Sequence, residues 1–161
     1  MIRPIQSHYP DEWSHCYGCG RLNEKGYHIQ SVQGEAGITV CEFRPEPWHT
    51  ALPGYVYGGL LASVIDCHAT GTAAAHAHRL EEEHERHPYP RFVTASLTID
   101  FLKPTPLAPF RVEGRILEHQ GRRIVVACTV GGGAHLLKTV EARITVVRIP
   151  DSGWPATASL G

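Results

Sequence analysis

The sequence has almost no net charge: 15 Lys and Arg against 16 Asp and Glu leave −1 with the histidines neutral. That balance gives no electrostatic footprint for nucleic acid, so no such partner is expected. No apolar run approaches the length of a membrane span, and the opening MIRPIQSHYPDEW lacks the apolar region of a signal peptide. A soluble cytoplasmic protein with no membrane partner is therefore expected. Cysteine is sparse and odd in number (Cys16, Cys19, Cys41, Cys67 and Cys128), which argues against a disulfide framework. Cys16-x-x-Cys19 has half the spacing of a zinc site, with His15 and His28 nearby, but no second Cys-x-x-Cys completes a tetrahedral set. A turn with buried thiols is expected there, with no metal and no cofactor. The 11 histidines add no ligand set. His76, His78, His84 and His87 fall in HAHRLEEEHERHPYP, where His84 and His87 match only the i, i+3 spacing, and the segment reads as a solvated helical extension closed by Pro88 and Pro90.

What the chain does have is enough apolar residue, 42%, to build one compact domain over 161 residues. Its focus is PGYVYGGLLASVIDCHATGTAAA, Pro53 to Ala75. Glycines punctuate the entry at Gly54, Gly58 and Gly59, and no proline follows Pro53, so a helix is expected from Gly58 into the seventies. At 100° per residue two faces separate. Leu61, Val64, Ile65, His68, Thr72 and Ala75 make a mostly bulky face, whereas Gly59, Ala62, Ser63, Asp66, Thr70 and Ala73 make a face of small residues carrying one carboxylate. Small side chains admit a second backbone, so both faces are expected to be covered. Asp66 is then either an acid that caps or pairs with a neighbour, or a general base in a partly dry site. The amides of Gly58 and Gly59 open the helix without intrahelical acceptors and at the positive end of its dipole. They are either a tight entry turn or an oxyanion-binding pair.

Strands are expected at Tyr27–Val32 and Ile38–Phe43, separated by Gly34 and Gly37. Val93 to Phe101 alternates apolar and polar without exception, which places its odd positions on a core and Thr94 on the other side. Further strands are expected at Phe110–Leu117, Ile124–Val130 and Leu136–Val147, the last with Val140, Ala142, Ile144 and Val146 on one face. Turns fall around Gly121 and at Gly131-Gly132-Gly133. The expected organisation is an irregular segment over 1–27, a domain over 28–149 and a loose tail over 150–161. The fold class is α+β, one antiparallel sheet with a single long helix laid against it.

PGYVYGGLLASVID, VTASLTIDFLKPTPL and EGRILEHQGRRIVVACTV, in this order and preceded by CYGCGRLNEKGYHI, resemble the hotdog-fold acyl-CoA thioesterases, in particular the phenylacetyl-CoA-type and human mitochondrial thioesterase-like group. The resemblance covers residues 16–148 and implies a sheet wrapped around the helix. It implies an acyl-CoA thioester as substrate, the catalytic carboxylate at Asp66, amide donors at Gly58 and Gly59, and a positioning hydroxyl at Thr94. Two departures stand out: Tyr57 replaces the family's histidine before Gly-Gly, and His49-Thr50-Ala51-Leu52 stands where some members carry an asparagine. A non-catalytic acyl-CoA-binding module and a hydratase or dehydratase remain as alternatives, the latter requiring a histidine–acid pair. Arg122 and Arg123, after Gly121, are either solvated or placed to meet CoA phosphates. Gly58 and Asp66 stand eight residues apart, about 12 Å along one helix, too far to serve one thioester carbonyl. A two-fold dimer with composite sites is therefore expected, in agreement with the family's dimers, and a tetramer is not excluded by the sequence.

Overall fold

The computed structural model describes residues 3–81, 88–132 and 135–150. Six strands are formed: β1 (Val32–Gln33), β2 (Thr39–Phe43), β3 (Phe92–Phe101), β4 (Phe110–Gln120), β5 (Arg123–Gly132) and β6 (Leu137–Arg148). One long helix, α1 (Gly58–Leu80), precedes β3. The strands make a single antiparallel sheet in the order β1-β2-β4-β5-β6-β3. α1 lies against one face of it, touching β2 through β6. Among the described residues no helix is long and apolar enough to cross a membrane.

The core forms where the inward positions of the central strands meet the bulky face of α1. Phe110, Val112, Ile124, Val126, Cys128, Val130, Val140, Ile144 and Val146 are buried against Leu60, Leu61, Val64 and Ile65. The alternation expected for β6 holds, with Ala142 buried beside Val140, Ile144 and Val146.

Midway along the helix the apolar contact gives way to a closed polar cluster, made possible by a glycine on the facing strand. A Cβ at Gly114 of β4 would lie 2.6 Å from Thr72 Oγ1, 2.8 Å from Thr39 Oγ1 and 2.9 Å from His68 Nε2. His68 is fully buried, its Nδ1 2.8 Å from Ser31 Oγ and its Nε2 3.2 Å from Thr39 Oγ1. Desolvation by burial holds its pKa down to about 4, so the imidazole is neutral. Every polar atom of this cluster has a partner, which is the condition for burying it.

The strand expected over Tyr27–Val32 is formed only at its end, as β1. Residues 27–31 bond elsewhere: Tyr27 N–H donates to Tyr17 O and Ile29 N–H to Gly18 O, while Ser31 O accepts from Ile5 N–H. His28 sits at φ 52°, outside the extended region. This stretch packs on the N-terminal segment, whose regular structure is limited to two short 3₁₀ turns, Ile5–His8 and Asp11–Trp13. The histidine-rich extension also differs from expectation. α1 ends at Leu80, and His78 is buried with its ring stacked 4.1 Å from Tyr89 rather than solvated. His84, His87, Gly133 and the tail from Asp151 lie outside the described residues.

Candidate active site

The site is organised by an irregularity in β3. Thr94 pairs with Val146 and the next pair is Ser96 with Thr145, so Ala95 is an extra residue in the strand. A bulge of one residue exchanges the two faces of a strand. Thr94 therefore faces α1, opposite the buried Val146, and beyond the bulge Leu97, Ile99 and Phe101 face it too, opposite Ile144, Ala142 and Val140. The expectation that Thr94 lies on the side away from the core is overturned for this reason. The alternation of the sequence is real, but it runs straight through the point where the pleat changes hands.

Turned inward, Thr94 Oγ1 donates to Asp66 Oδ1 at 2.5 Å. Both residues are half-buried. No other described residue hydrogen-bonds or pairs with the carboxylate, so Oδ2 remains an available acceptor. Asp66 stands on the small-residue stripe of α1, where Gly59, Ala62, Ser63 and Thr70 are likewise only half-buried. Ala73, expected on that stripe, is fully covered by its own chain. The stripe thus runs from the helix start to Thr70, and Asp66 is its one ionisable group.

At the head of α1, Tyr57 is the extended residue before the first turn, and its carbonyl accepts from the amides of Leu60 and Leu61. The amides of Gly58 and Gly59 have no acceptor among the described residues. Aromatic rings lie beside both glycines. A Cβ at Gly59 would come within 2.4 Å of the Tyr57 ring and 2.6 Å of its hydroxyl, and one at Gly58 would touch Phe101 at 3.4 Å. The exposed Tyr57 side chain therefore folds across the helix start, beside the two free amides. Phe101 closes the other side, a neighbour that the sequence pattern did not single out.

Arg122 and Arg123 lie in the β4–β5 turn, away from this helix start. Arg122 donates through Nε and Nη2 to Arg148 O at 3.0 and 2.7 Å. Arg123 and Arg143 share Glu118, at 3.4 and 2.5 Å, and the two arginines hold that carboxylate below its usual range. His68, on the helical face opposite Asp66, is committed to Ser31 and Thr39, so it offers no histidine–acid pair for dehydration chemistry.

The structure also gathers three thiols. The sulfurs of Cys16, Cys19 and Cys67 all lie within 4.8 Å of one another. Cys67 follows Asp66 on α1, and its separation in sequence from the Cys16 turn is what hid it from a spacing argument.

Residues 53–131 match the family model described as thioesterase superfamily. A thioesterase superfamily protein from Shewanella loihica, known from its crystal structure, is 37% identical and superposes with a TM-score of 0.63, over 88% of this chain and 100% of that one. The acyl-coenzyme A thioesterase THEM4 of Xenopus laevis is 25% identical over 111 residues, 68% of this chain and 45% of its own length. The E. coli PaaI protein from the phenylacetic acid degradation operon has the same fold, with a TM-score of 0.62 at 16% identity over 77% of this chain and 81% of that one. This chain spans less than half the length of the curated relatives it matches. With its long helix packed on a six-stranded antiparallel sheet and its full-length likeness to the Shewanella protein, the chain belongs to the thioesterase superfamily and has the hotdog-type fold of that family.

Proposed function

We propose that this protein hydrolyses an acyl-CoA thioester, with Asp66 handling the proton and the amides of Gly58 and Gly59 holding the carbonyl oxygen. The observation that carries the proposal is the 2.5 Å hydrogen bond from Thr94 to Asp66 on a half-buried stripe of small residues. One carboxylate oxygen is fixed by the hydroxyl and the other is left to accept. Water bound at the second oxygen adds to the thioester carbon while its proton passes to Asp66. The oxyanion draws on the two amides, and collapse of the tetrahedral intermediate breaks the C–S bond, the proton returning to the departing CoA sulfur. The same placement suits direct attack by the carboxylate, with water cleaving the resulting anhydride.

The distance along α1 supports dividing this machinery between two subunits. Gly58 and Asp66 are about 12 Å apart along the axis, so a two-fold pair of antiparallel helices brings one subunit's amides to the other's carboxylate. Two surfaces support such a pairing. Among the described residues the stripe Gly59, Ala62, Ser63, Asp66 and Thr70 is only half-buried. β3 is the last strand of the sheet, ten residues long with Ala95–Thr98 exposed, and a free edge of that length invites another strand. Curated relatives named as acyl-coenzyme A thioesterases, and the acyl-CoA hydrolase of Staphylococcus aureus known in complex with butyryl coenzyme A, support an acyl-CoA as the substrate class. Arg122 keeps a free Nη1 for a CoA phosphate, and Arg123 shares its acid with Arg143. The test is release of free thiol from a panel of acyl-CoAs. Turnover of at least one acyl-CoA is expected, whereas binding without release across the panel would make the domain a sensor, and hydration of an enoyl-CoA would make it a hydratase.

A further inference from the structure

The chain gathers three thiols that the proposed thioester chemistry does not use. Cys16, Cys19 and Gly20 form a tight turn in which Gly20 N–H donates to Cys16 O at 2.8 Å. The third sulfur comes from α1: Cys67 Sγ lies 3.9 Å from Cys16 Sγ. Gly18 makes room for it, since a Cβ there would come within 2.3 Å of Cys67 Sγ. Two ligands of a tetrahedral zinc, each about 2.3 Å from the metal, are about 3.8 Å apart. The sulfurs therefore stand at or slightly beyond ligand spacing.

A second observation points the same way. Arg91 has a buried Nη1 with no partner among the described residues. Its guanidinium lies over the Tyr9 ring, 5.0 Å from the centroid, and within electrostatic reach of all three sulfurs. Three neutral thiols offer that half-buried cation no opposite charge. Three thiolates on a divalent ion carry a net charge of −1 and balance it.

We propose that Cys16, Cys19 and Cys67 bind one zinc ion, with Arg91 as its counter-charge. Three S–H bonds are exchanged for three Zn–S bonds, and three protons leave to solvent. Cys16, half-exposed, is the side from which the ion enters and where a water completes the four-coordinate shell. The site ties the N-terminal segment, which has little regular structure of its own, to α1 at the residue next to Asp66. Binding energy of this kind is folding energy.

Protein reduced and stripped with chelator, then freed of both reagents, is titrated with Co²⁺ and then Zn²⁺. One Co²⁺ per chain is expected, with intense thiolate-to-cobalt charge-transfer absorption and the visible bands of tetrahedral cobalt, both abolished by one equivalent of Zn²⁺. Cys67→Ser is expected to weaken zinc binding by more than about 100-fold, beyond the cost of losing an outer-shell partner, and Arg91→Gln by about 10- to 100-fold. Cys128→Ser, at a buried thiol elsewhere in the core, leaves binding unchanged. Wild-type protein that takes up neither metal at micromolar concentration, or that instead closes a Cys16–Cys67 disulfide and binds none after re-reduction, overturns the proposal without reference to any variant. So does cobalt bound without thiolate absorption, or zinc binding that survives in a folded Cys67→Ser protein.

Discussion

Thr94 and Asp66, 28 residues apart in sequence, are joined by a 2.5 Å hydrogen bond because one extra residue, Ala95, turns the strand over between Thr94 and Ser96. A hydrogen bond to a charged group is worth about 1.5–3 kcal/mol. Thr94→Val, which keeps the shape and removes the donor, is expected to lower kcat about 10- to 100-fold with little change in thermal midpoint. Thr94→Ser should recover most of the loss. Steady-state kinetics on the best acyl-CoA of the panel reads both, and equal activity in the Val and Ser variants would show that the hydroxyl does not serve the carboxylate.

Gly114 of β4 faces the buried polar cluster of α1. A methyl group there has no space between Thr72, Thr39 and His68, all of them buried and hydrogen-bonded. Overpacking of this sort costs about 1–3 kcal/mol. Gly114→Ala is expected to lower the urea midpoint accordingly, with the slope of the transition unchanged. An unchanged midpoint would mean that the helix rides further from β4 than described.

The shared-site arrangement has its own test. A subunit carrying Asp66→Asn is mixed with one carrying Gly59→Val, which displaces the Tyr57 ring from the helix start and covers the amides. If sites are composite, each heterodimer has one site with both lesions and one with neither. Activity near a quarter of wild type is expected in an equimolar, fully exchanged mixture, since half the dimers are mixed and each has one intact site of two. Verified exchange without recovery would place a complete site in each subunit.

Much of this was legible in the sequence, and the rest was hidden for identifiable reasons. The helix start, the carboxylate and the strands of the central sheet followed from glycine placement and period-two alternation. Thr94 was visible as a residue but was assigned to the wrong face, because a bulge leaves no mark in an alternating pattern when small residues such as Ala95 and Ser96 sit at the crossing. Tyr27–Val32 has the composition of a strand, yet only Val32 pairs with a neighbouring strand, and residues 27–31 bond to the Cys16–Gly20 turn and Ile5 instead. Cys67 could not be joined to Cys16 and Cys19 by spacing, since it arrives from the helix. His68 falls on the helical face opposite Asp66, and the fold adds what the sequence does not carry, that Ser31, Thr39 and Gly114 enclose it.

The most direct test of the mechanism is thiol release by Asp66→Asn under saturating acyl-CoA, alongside a thermal melt of the same preparation. The amide is nearly isosteric and still accepts from Thr94, so the fold and the melting midpoint should be preserved. Loss of a general base typically costs about 10²- to 10⁴-fold, and a fall in kcat within that range is expected. A folded Asp66→Asn protein that turns over within tenfold of wild type would contradict the assignment of the proton-handling role to this carboxylate.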